Sequence, residues 1–378
     1  MNSPVFEPVK LGSLQLSNRL ILAPMTTYSG DPDGQLSREE EAYLVAKGQA
    51  GYGAIMTAAC YVHPSGKAFP GQWGCDHEGR FDSLHRAAHA IKRGGAKAIL
   101  QIHHGGRQCS PATVAEAWNH FPEPNGTFPL DRAVVATPHE SDRFPSQALT
   151  TEQAESIVAA FADSARRAVE AGFDGVEIHG ANTYLLQQFV SPLTNRREDT
   201  FGHHRLLFSR LVTQAILDAV PTGYPIGYRF SPEEPSDPGI DLEQTKALLR
   251  ELCHFPLAFL HISLQNFDQM SIREESKDVR VIDEVLNAIA GQIPLIGVGG
   301  VSKVEQAESC LELGASAVAI GRAGICDPQL PQKFRDRKPA NKFFPRENGV
   351  ELLKIPTGLH TRIVGAPGWF EPEPETNG

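Results

Sequence analysis

The stretch AGFDGVEIH, residues 171–179, decides the fold. Its second residue, Gly172, can take the left-handed conformation that stops a helix. Two linking residues follow, and then a short run from Val176 to Ile178 that reads as a buried strand. Three further segments repeat the arrangement: AGYGAIMTA (50–58), GGAKAILQI (94–102) and LGASAVAIG (313–321). A helical pattern precedes each. Leu84, Ala87, Ala88 and Ile91 fall at i, i+3, i+4 and i+7, as do Ile157, Ala160, Phe161 and Ser164. Thr150 and Gln153 fit a capping box that opens the second of these helices. The unit is therefore helix, glycine stop, buried parallel strand.

Four more apolar runs complete a set: LILAPM (20–25), PIGYRF (225–230), AFLHIS (258–263) and PLIGVGG (294–300). Helical patterns separate them, around residues 39–50, 205–220, 243–253, 279–290 and 303–313. Eight strands alternating with helices predict an α/β fold, an eight-stranded (β/α)8 TIM barrel. A doubly wound open sheet is the architectural alternative. VKLGSLQLSNR, near the start, reads as an N-terminal hairpin closing the bottom of the barrel. Residues 1–334 form one barrel domain in this reading. Within it, the proline-rich stretch 106–150 lies between strand three and its helix, shows no periodic pattern, and is expected to be a capping loop. Residues 335–378 form a C-terminal tail packed on the barrel or on a neighbouring subunit.

Composition narrows the partners. The chain of 378 residues is 41% hydrophobic and carries a formal charge of −10, with no basic stripe, which argues against nucleic acid. No apolar stretch approaches the roughly 20 residues of a membrane helix. The opening residues lack a basic region followed by an apolar core, so no signal peptide is expected, and a cytoplasmic protein is the default. Cys60, Cys75, Cys109, Cys253, Cys310 and Cys326 are scattered without a C-x-x-C pair, so neither a metal site nor a disulfide framework is expected.

The C-terminal ends of barrel strands carry the chemistry. Strand one runs into Pro24, Met25 and Thr26, with Tyr28 just beyond; strand two ends near Ala59. Strand three ends at Gln101, strand four at His179 and strand five at Arg229. Strand seven leads to Gly299 and Gly300, and strand eight to Gly321 and Arg322. Those four residues suit a phosphate, since backbone N–H groups approach an anion closely where no Cβ intervenes and a guanidinium adds charged hydrogen bonds. GVGGVS has Ser302 where a dinucleotide motif would have its third glycine, so one phosphate, as in FMN or a sugar phosphate, fits better than NAD or FAD. Gln101 and Arg229 match the acceptors and the N–H donor of a flavin's pyrimidine edge, and the Thr26 hydroxyl could reach its C4 carbonyl. His179 and Asn182 can both donate to one oxygen, the logic of an oxyanion hole, and Tyr184 can offer a proton.

The segments NRLILAPMTTYS, AILQIHHGGRQ, AGFDGVEIHGANTYLLQQFVSPLTNRREDTFG, GYRFSP and GASAVAIGRAGICDP resemble the old yellow enzymes, FMN-dependent ene-reductases of the NADH:flavin oxidoreductase family, across residues 18 to about 328. The resemblance implies FMN as bound cofactor and NADPH or NADH as co-substrate. It implies that Pro24, Met25, Thr26, Ala59, Gln101 and Arg229 line the isoalloxazine, and that Gly299, Gly300, Gly321 and Arg322 hold the phosphate. His179 and Asn182 would bind the substrate oxygen, with Tyr28 reaching the substrate and Tyr184 as proton donor. Thr26 stands where many bacterial members have cysteine. Tyr28 matches that bacterial group, whereas Thr26 and Asn182 resemble the other branch. The implied reaction is reduction of an α,β-unsaturated carbonyl or nitro compound, in a monomer or homo-oligomer. The alternatives are a flavin-dependent dehydrogenase of another substrate class, a redox-sensing flavoprotein without turnover, and a flavin-free aldolase barrel, which the absence of a strand-end lysine disfavours.

Overall fold

The computed structural model describes residues 3–123, 126–275 and 278–372. Its strands in chain order are β1 Val9–Leu11, β2 Leu14–Leu16, β3 Leu20–Leu22, β4 Ala54–Met56, β5 Cys60–Tyr61, β6 Lys97–His103, β7 Ala133–Val135, β8 Ser146–Ala148, β9 Gly175–Gly180, β10 Ile226–Phe230, β11 Phe259–Ile262, β12 Leu295–Val298 and β13 Ala317–Ile320. The helices are α1 Arg38–Gly48, α2 Phe81–Lys92, α3 Pro111–Asn119, α4 Thr151–Glu170, α5 Leu185–Val190, α6 Thr200–His203 and α7 Leu207–Ala219. They continue with α8 Leu242–Leu252, α9 Val281–Ile289, α10 Val304–Glu312, α11 Arg322–Cys326, α12 Leu330–Arg335, α13 Gly349–Leu353 and α14 Thr357–Val364.

Strands β3, β4, β6, β9, β10, β11, β12 and β13 pair in parallel in that order, and β13 returns to β3. The ring of eight is closed. An open doubly wound sheet would leave two edge strands, and the β13–β3 pairing removes them. The glycine stops behave as read: Gly172 after α4 has φ +88° and Gly314 after α10 has φ +113°. Thr150 and Gln153 form the reciprocal capping box of α4.

Strand alternation divides the core in two. Outward residues such as Leu20, Leu22, Ile55, Leu100, Val176, Ile178, Leu260 and Val318 join the large cluster beneath the helices. Inward residues Ile21, Ala23, Ala54, Met56, Ile99, Phe259, Ile296, Val298, Ala317 and Ala319 form a separate cluster inside the barrel. The hairpin β1–β2 contributes Val9, Leu11, Leu14 and Leu16 to that inner cluster and so plugs one end. Its turn residue Gly12 has φ +54°, and a Cβ there would lie 2.5 Å from the Cα of Ala258.

The stretch 106–150 is more structured than its sequence suggested. Ser110 caps α3 by accepting the Thr113 N–H, Pro111 occupies the first turn, and β7 pairs with β8. Two ion pairs tie the region down: Arg107 to Asp142 at 2.8 Å and Lys67 to Glu116 at 2.7 Å. In the tail, α14 lies against the loop after β3. Thr357 donates to Glu39 through its N–H and its hydroxyl, and Arg362 covers the Tyr28 ring at 5.5 Å. Among the described residues, no helix is long and apolar enough to cross a membrane.

Candidate active site at the barrel mouth

The upper interior of the barrel has a polar side and an apolar side. On β12, β13, β3 and β4 the inward residues are Ile296, Val298, Ala317, Ala319, Ile21, Ala23, Ala54 and Met56. On β6, β9, β10 and β11 the inward residues above Ile99 and Phe259 are Gln101, His103, Glu177, His179, Arg229 and His261, all buried. Register brings these polar groups together, since Gln101 pairs with Glu177, and Arg229 stands between His179 and His261. β6 does not end at Gln101 but continues to His103, so Gln101 lies one inward step below the mouth.

Glu177 is the hub of this layer and is fully buried. Its two oxygens accept from Gln101 Nε2 and from His261 Nδ1, both at 2.7 Å. Burial pushes the Glu177 carboxyl up, but His261, Arg229 and Gln101 outweigh it and hold the group below the usual carboxylate range. Burial, with a smaller push from the Arg229 charge, holds His261 below its ordinary value against the opposing pull of Glu177, so the neutral ring donates to Glu177 from Nδ1. The ionised Glu177 then compensates the buried Arg229. Arg229 donates from Nη2 to Ser263 Oγ at 3.2 Å, and Ser263 donates to Asn182 Oδ1 at 3.1 Å. With its oxygen so engaged, the Asn182 amide keeps its N–H donors free.

The turn after β9 bears Asn182 and Thr183, both left-handed at φ +57° and +63°. Asparagine tolerates that region, whereas a β-branched threonine does so only under strong constraint. The constraint is visible: Thr183 N–H donates to Gln187, Gln188 donates to the Thr183 carbonyl, and Gln108 donates to its hydroxyl. Gln187 is held in turn by the buried Glu234, which also takes Ser191 Oγ and Ile240 N–H. The polar residues of NTYLLQQF thus fix one turn.

That turn sets three rings on edge. Tyr184 meets His179 at 4.9 Å and 89°, and His103 at 4.3 Å and 85°. His179 Nδ1 accepts the Ala181 N–H, so its proton is on Nε2. Burial, then the nearby His103 and Arg229, hold His179 well below its ordinary pKa, so it is a neutral donor. Burial pushes the Tyr184 phenol up to about 12, with smaller contributions from Tyr28 and Cys109, so it stays protonated at neutral pH.

The other expected residues stand around this mouth. Pro24, Met25, Thr26 and Tyr28 follow β3, and Tyr28 meets Phe69 at 5.2 Å. Ala59 follows β4, and its carbonyl accepts from Gln72. Gly299 and Gly300 follow β12 with φ +129° and +66°, and a Cβ on Gly299 would lie 2.7 Å from Asn266 N. Gly321 and Arg322 follow the neighbouring β13, and a Cβ on Gly321 would lie 3.1 Å from Met25 Sδ. The sequence reading missed Glu177, His261, His103, Gln72 and Ser263. The first two carried a signal, a polar residue at every second position of an otherwise apolar strand.

A closed barrel whose strand ends gather an arginine, glycine turns and a ring-lined polar wall defines a cofactor-dependent enzyme rather than a scaffold. The chain belongs to the NADH:flavin oxidoreductase / NADH oxidase family, whose model matches residues 4–341. It is 36% identical over 375 residues to the probable NADH-dependent flavin oxidoreductase YqiG of Bacillus subtilis, covering 97% of each chain. It is 39% identical over 370 residues to the NADH:fumarate oxidoreductase of Klebsiella pneumoniae, covering 95% of this chain but 38% of that longer protein. Among solved structures, the old yellow enzyme from Trypanosoma cruzi superposes with a TM-score of 0.75 at 27% identity, covering 89% of this chain and 93% of that one. The protein is an NADH- or NADPH-dependent flavin oxidoreductase of the old yellow enzyme family, with FMN as its cofactor.

The residues present fit FMN. Arg229 keeps a buried Nε–H without a partner, a donor that a flavin carbonyl or ring nitrogen would satisfy. The left-handed glycines after β12 leave backbone where a side chain would collide.

Proposed function

We propose that the protein is an ene-reductase acting on α,β-unsaturated carbonyl or nitro compounds. The observation that carries the proposal is the trio at the end of β9, a neutral His179 Nε2–H, a free Asn182 amide and a protonated Tyr184 phenol packed on His179. FMN, reduced by NADH or NADPH, would supply a hydride to Cβ. His179 and Asn182 hold the substrate's activating oxygen and stabilise the negative charge that gathers there, each donor worth on the order of 10²–10³ in rate. Tyr184 gives its proton to Cα, and Tyr28 closes the substrate pocket. Pro24, Met25, Thr26, Ala59, Gln101 and Arg229 would line the flavin ring, and Gly299, Gly300, Gly321 and Arg322 would hold its phosphate. The name of the Klebsiella relative supports the class, since fumarate is an alkene conjugated to carbonyl groups.

The test is anaerobic. The purified yellow protein is bleached by NADH or NADPH and then mixed with 2-cyclohexenone; rapid return of the flavin absorbance is expected. A reduced flavin that persists through many minutes of excess enone would overturn the proposal. The phosphate assignment has its own test. Gly299→Ala adds a Cβ that meets the Asn266 backbone at a left-handed position, so FMN retention should fall by about tenfold or more. The ratio of flavin to protein absorbance after gel filtration measures this, and a ratio equal to wild type would remove Gly299 from the cradle.

A further inference from the structure

The imidazole of His103 has no role in the chemistry above, yet it touches two of the groups that perform it. Its tautomer follows from its neighbours. Gln72 Oε1 accepts the Ala68 N–H at 2.7 Å, and Gln72 Nε2 donates to the Ala59 carbonyl at 3.0 Å, which fixes how the amide is turned. The remaining Nε2 hydrogen of Gln72 therefore goes to His103 Nδ1, also at 3.0 Å. His103 is 0% exposed, and burial lowers its pKa to about 3, so the ring is neutral and its single proton sits on Nε2. That Nε2–H is sealed from solvent and has no hydrogen-bond partner. A buried donor without an acceptor costs about 1–3 kcal/mol in general, so its retention calls for an explanation. Of the rings that meet His103, Tyr184 is the nearest at 4.3 Å and 85°, with His179 at 5.2 Å and Phe69 at 6.5 Å.

We propose that His103 is the positioning residue for Tyr184: its edge-on ring, locked by Gln72, holds the phenol in the orientation that protonates Cα, and its Nε2–H, unpartnered while the phenol is protonated, is the donor that meets the phenolate. The inference rests on the ene-reductase reading. In that reaction the enolate electron pair at Cα forms a bond to the phenolic proton, the O–H bond breaks, and the phenolate takes a proton back from water. Once the proton has left, the phenolate supplies the acceptor that the His103 Nε2–H lacks, and a neutral imidazole does not compete for that proton. Gln72 locks the imidazole from behind, which links the end of β4 to the acid on the turn after β9.

The experiment compares two oxidants of the NADH-reduced holoenzyme by stopped flow. 2-Cyclohexenone needs a proton at Cα as hydride arrives. 1-Nitrocyclohexene yields a nitronate, a stable anion that needs none from the enzyme. His103→Phe keeps an aromatic ring on Tyr184 and removes the N–H. Reoxidation by 2-cyclohexenone should slow about tenfold, while reoxidation by 1-nitrocyclohexene and reduction by NADH stay within about twofold of wild type. An equal loss with both oxidants, or no loss with either, overturns the inference. If His103→Phe does not retain FMN, Gln72→Leu, which keeps the ring but releases Nδ1, must show the same split, and an equal effect on both oxidants overturns the inference there too. A wild-type enzyme that neither alkene reoxidises contradicts the ene-reductase reading itself, an outcome distinct from an unsplit His103 variant.

Discussion

Tyr184→Phe is expected to slow reoxidation of the reduced enzyme by 2-cyclohexenone by about 10²–10⁴-fold, with reduction by NADH within about threefold of wild type. The substitution removes one hydroxyl and keeps the ring that packs on His103 and His179. The turn itself is held by Gln108, Gln187 and Gln188 through Thr183, so its backbone should not move. The phenol can serve as an acid because it carries its proton at neutral pH, its ordinary value near 10 being raised by burial to about 12. It would be a poor base for the same reason. Stopped-flow absorbance of the flavin separates the two half-reactions. An equal slowing of both would show that the phenol serves binding or folding, not proton delivery.

Glu177→Leu is expected to cost about 3–5 kcal/mol of stability, because breaking a buried charge pair leaves the other charge uncompensated. At about 2 °C per kcal/mol for a chain of this size, Tm should fall by roughly 6–10 °C. Three groups lose their partner at once: the Arg229 charge, Gln101 Nε2 and His261 Nδ1–H. Thermal unfolding of the holoenzyme measures the loss, and a shift smaller than about 2 °C would mean that water or FMN takes over the carboxylate's work. The sign of the pH dependence follows from the depressed pKa. Glu177 contributes fully above its ordinary value of 4.5 and loses that contribution as pH falls through the lower folded value. The acid limb in Tm should therefore be steeper in the wild type than in the leucine variant, which keeps only the share of other depressed carboxylates such as Glu78, Asp199 and Glu308.

The barrel was legible in the sequence because its signals are local. A glycine in the left-handed conformation after each of two helices, and apolar runs of strand length, are written in consecutive residues. His179, Asn182 and Tyr184 were legible as a group for the same reason, as they lie close together in sequence at the end of β9 and in the turn after it. Glu177 and His261 were not, because each looks like a flaw in an apolar run until closure of the sheet puts them 2.7 Å apart across the interior. His103 was hidden because strand three reads as ending at Gln101, whereas β6 continues to His103 and turns that imidazole inward. Helix α3 was masked by the prolines around it, although Ser110 and Pro111 are a cap and a first-turn proline in the right order.

The hairpin at the base of the barrel bears on how the enzyme handles its two reactants. With Leu11, Leu14 and Leu16 stoppering one end, any molecule that reaches the polar wall must come and go through the opposite opening. Oxidised coenzyme would have to depart before an alkene could enter, so turnover should follow a double-displacement pattern, with parallel reciprocal plots. Each reactant at high concentration should then obstruct the other.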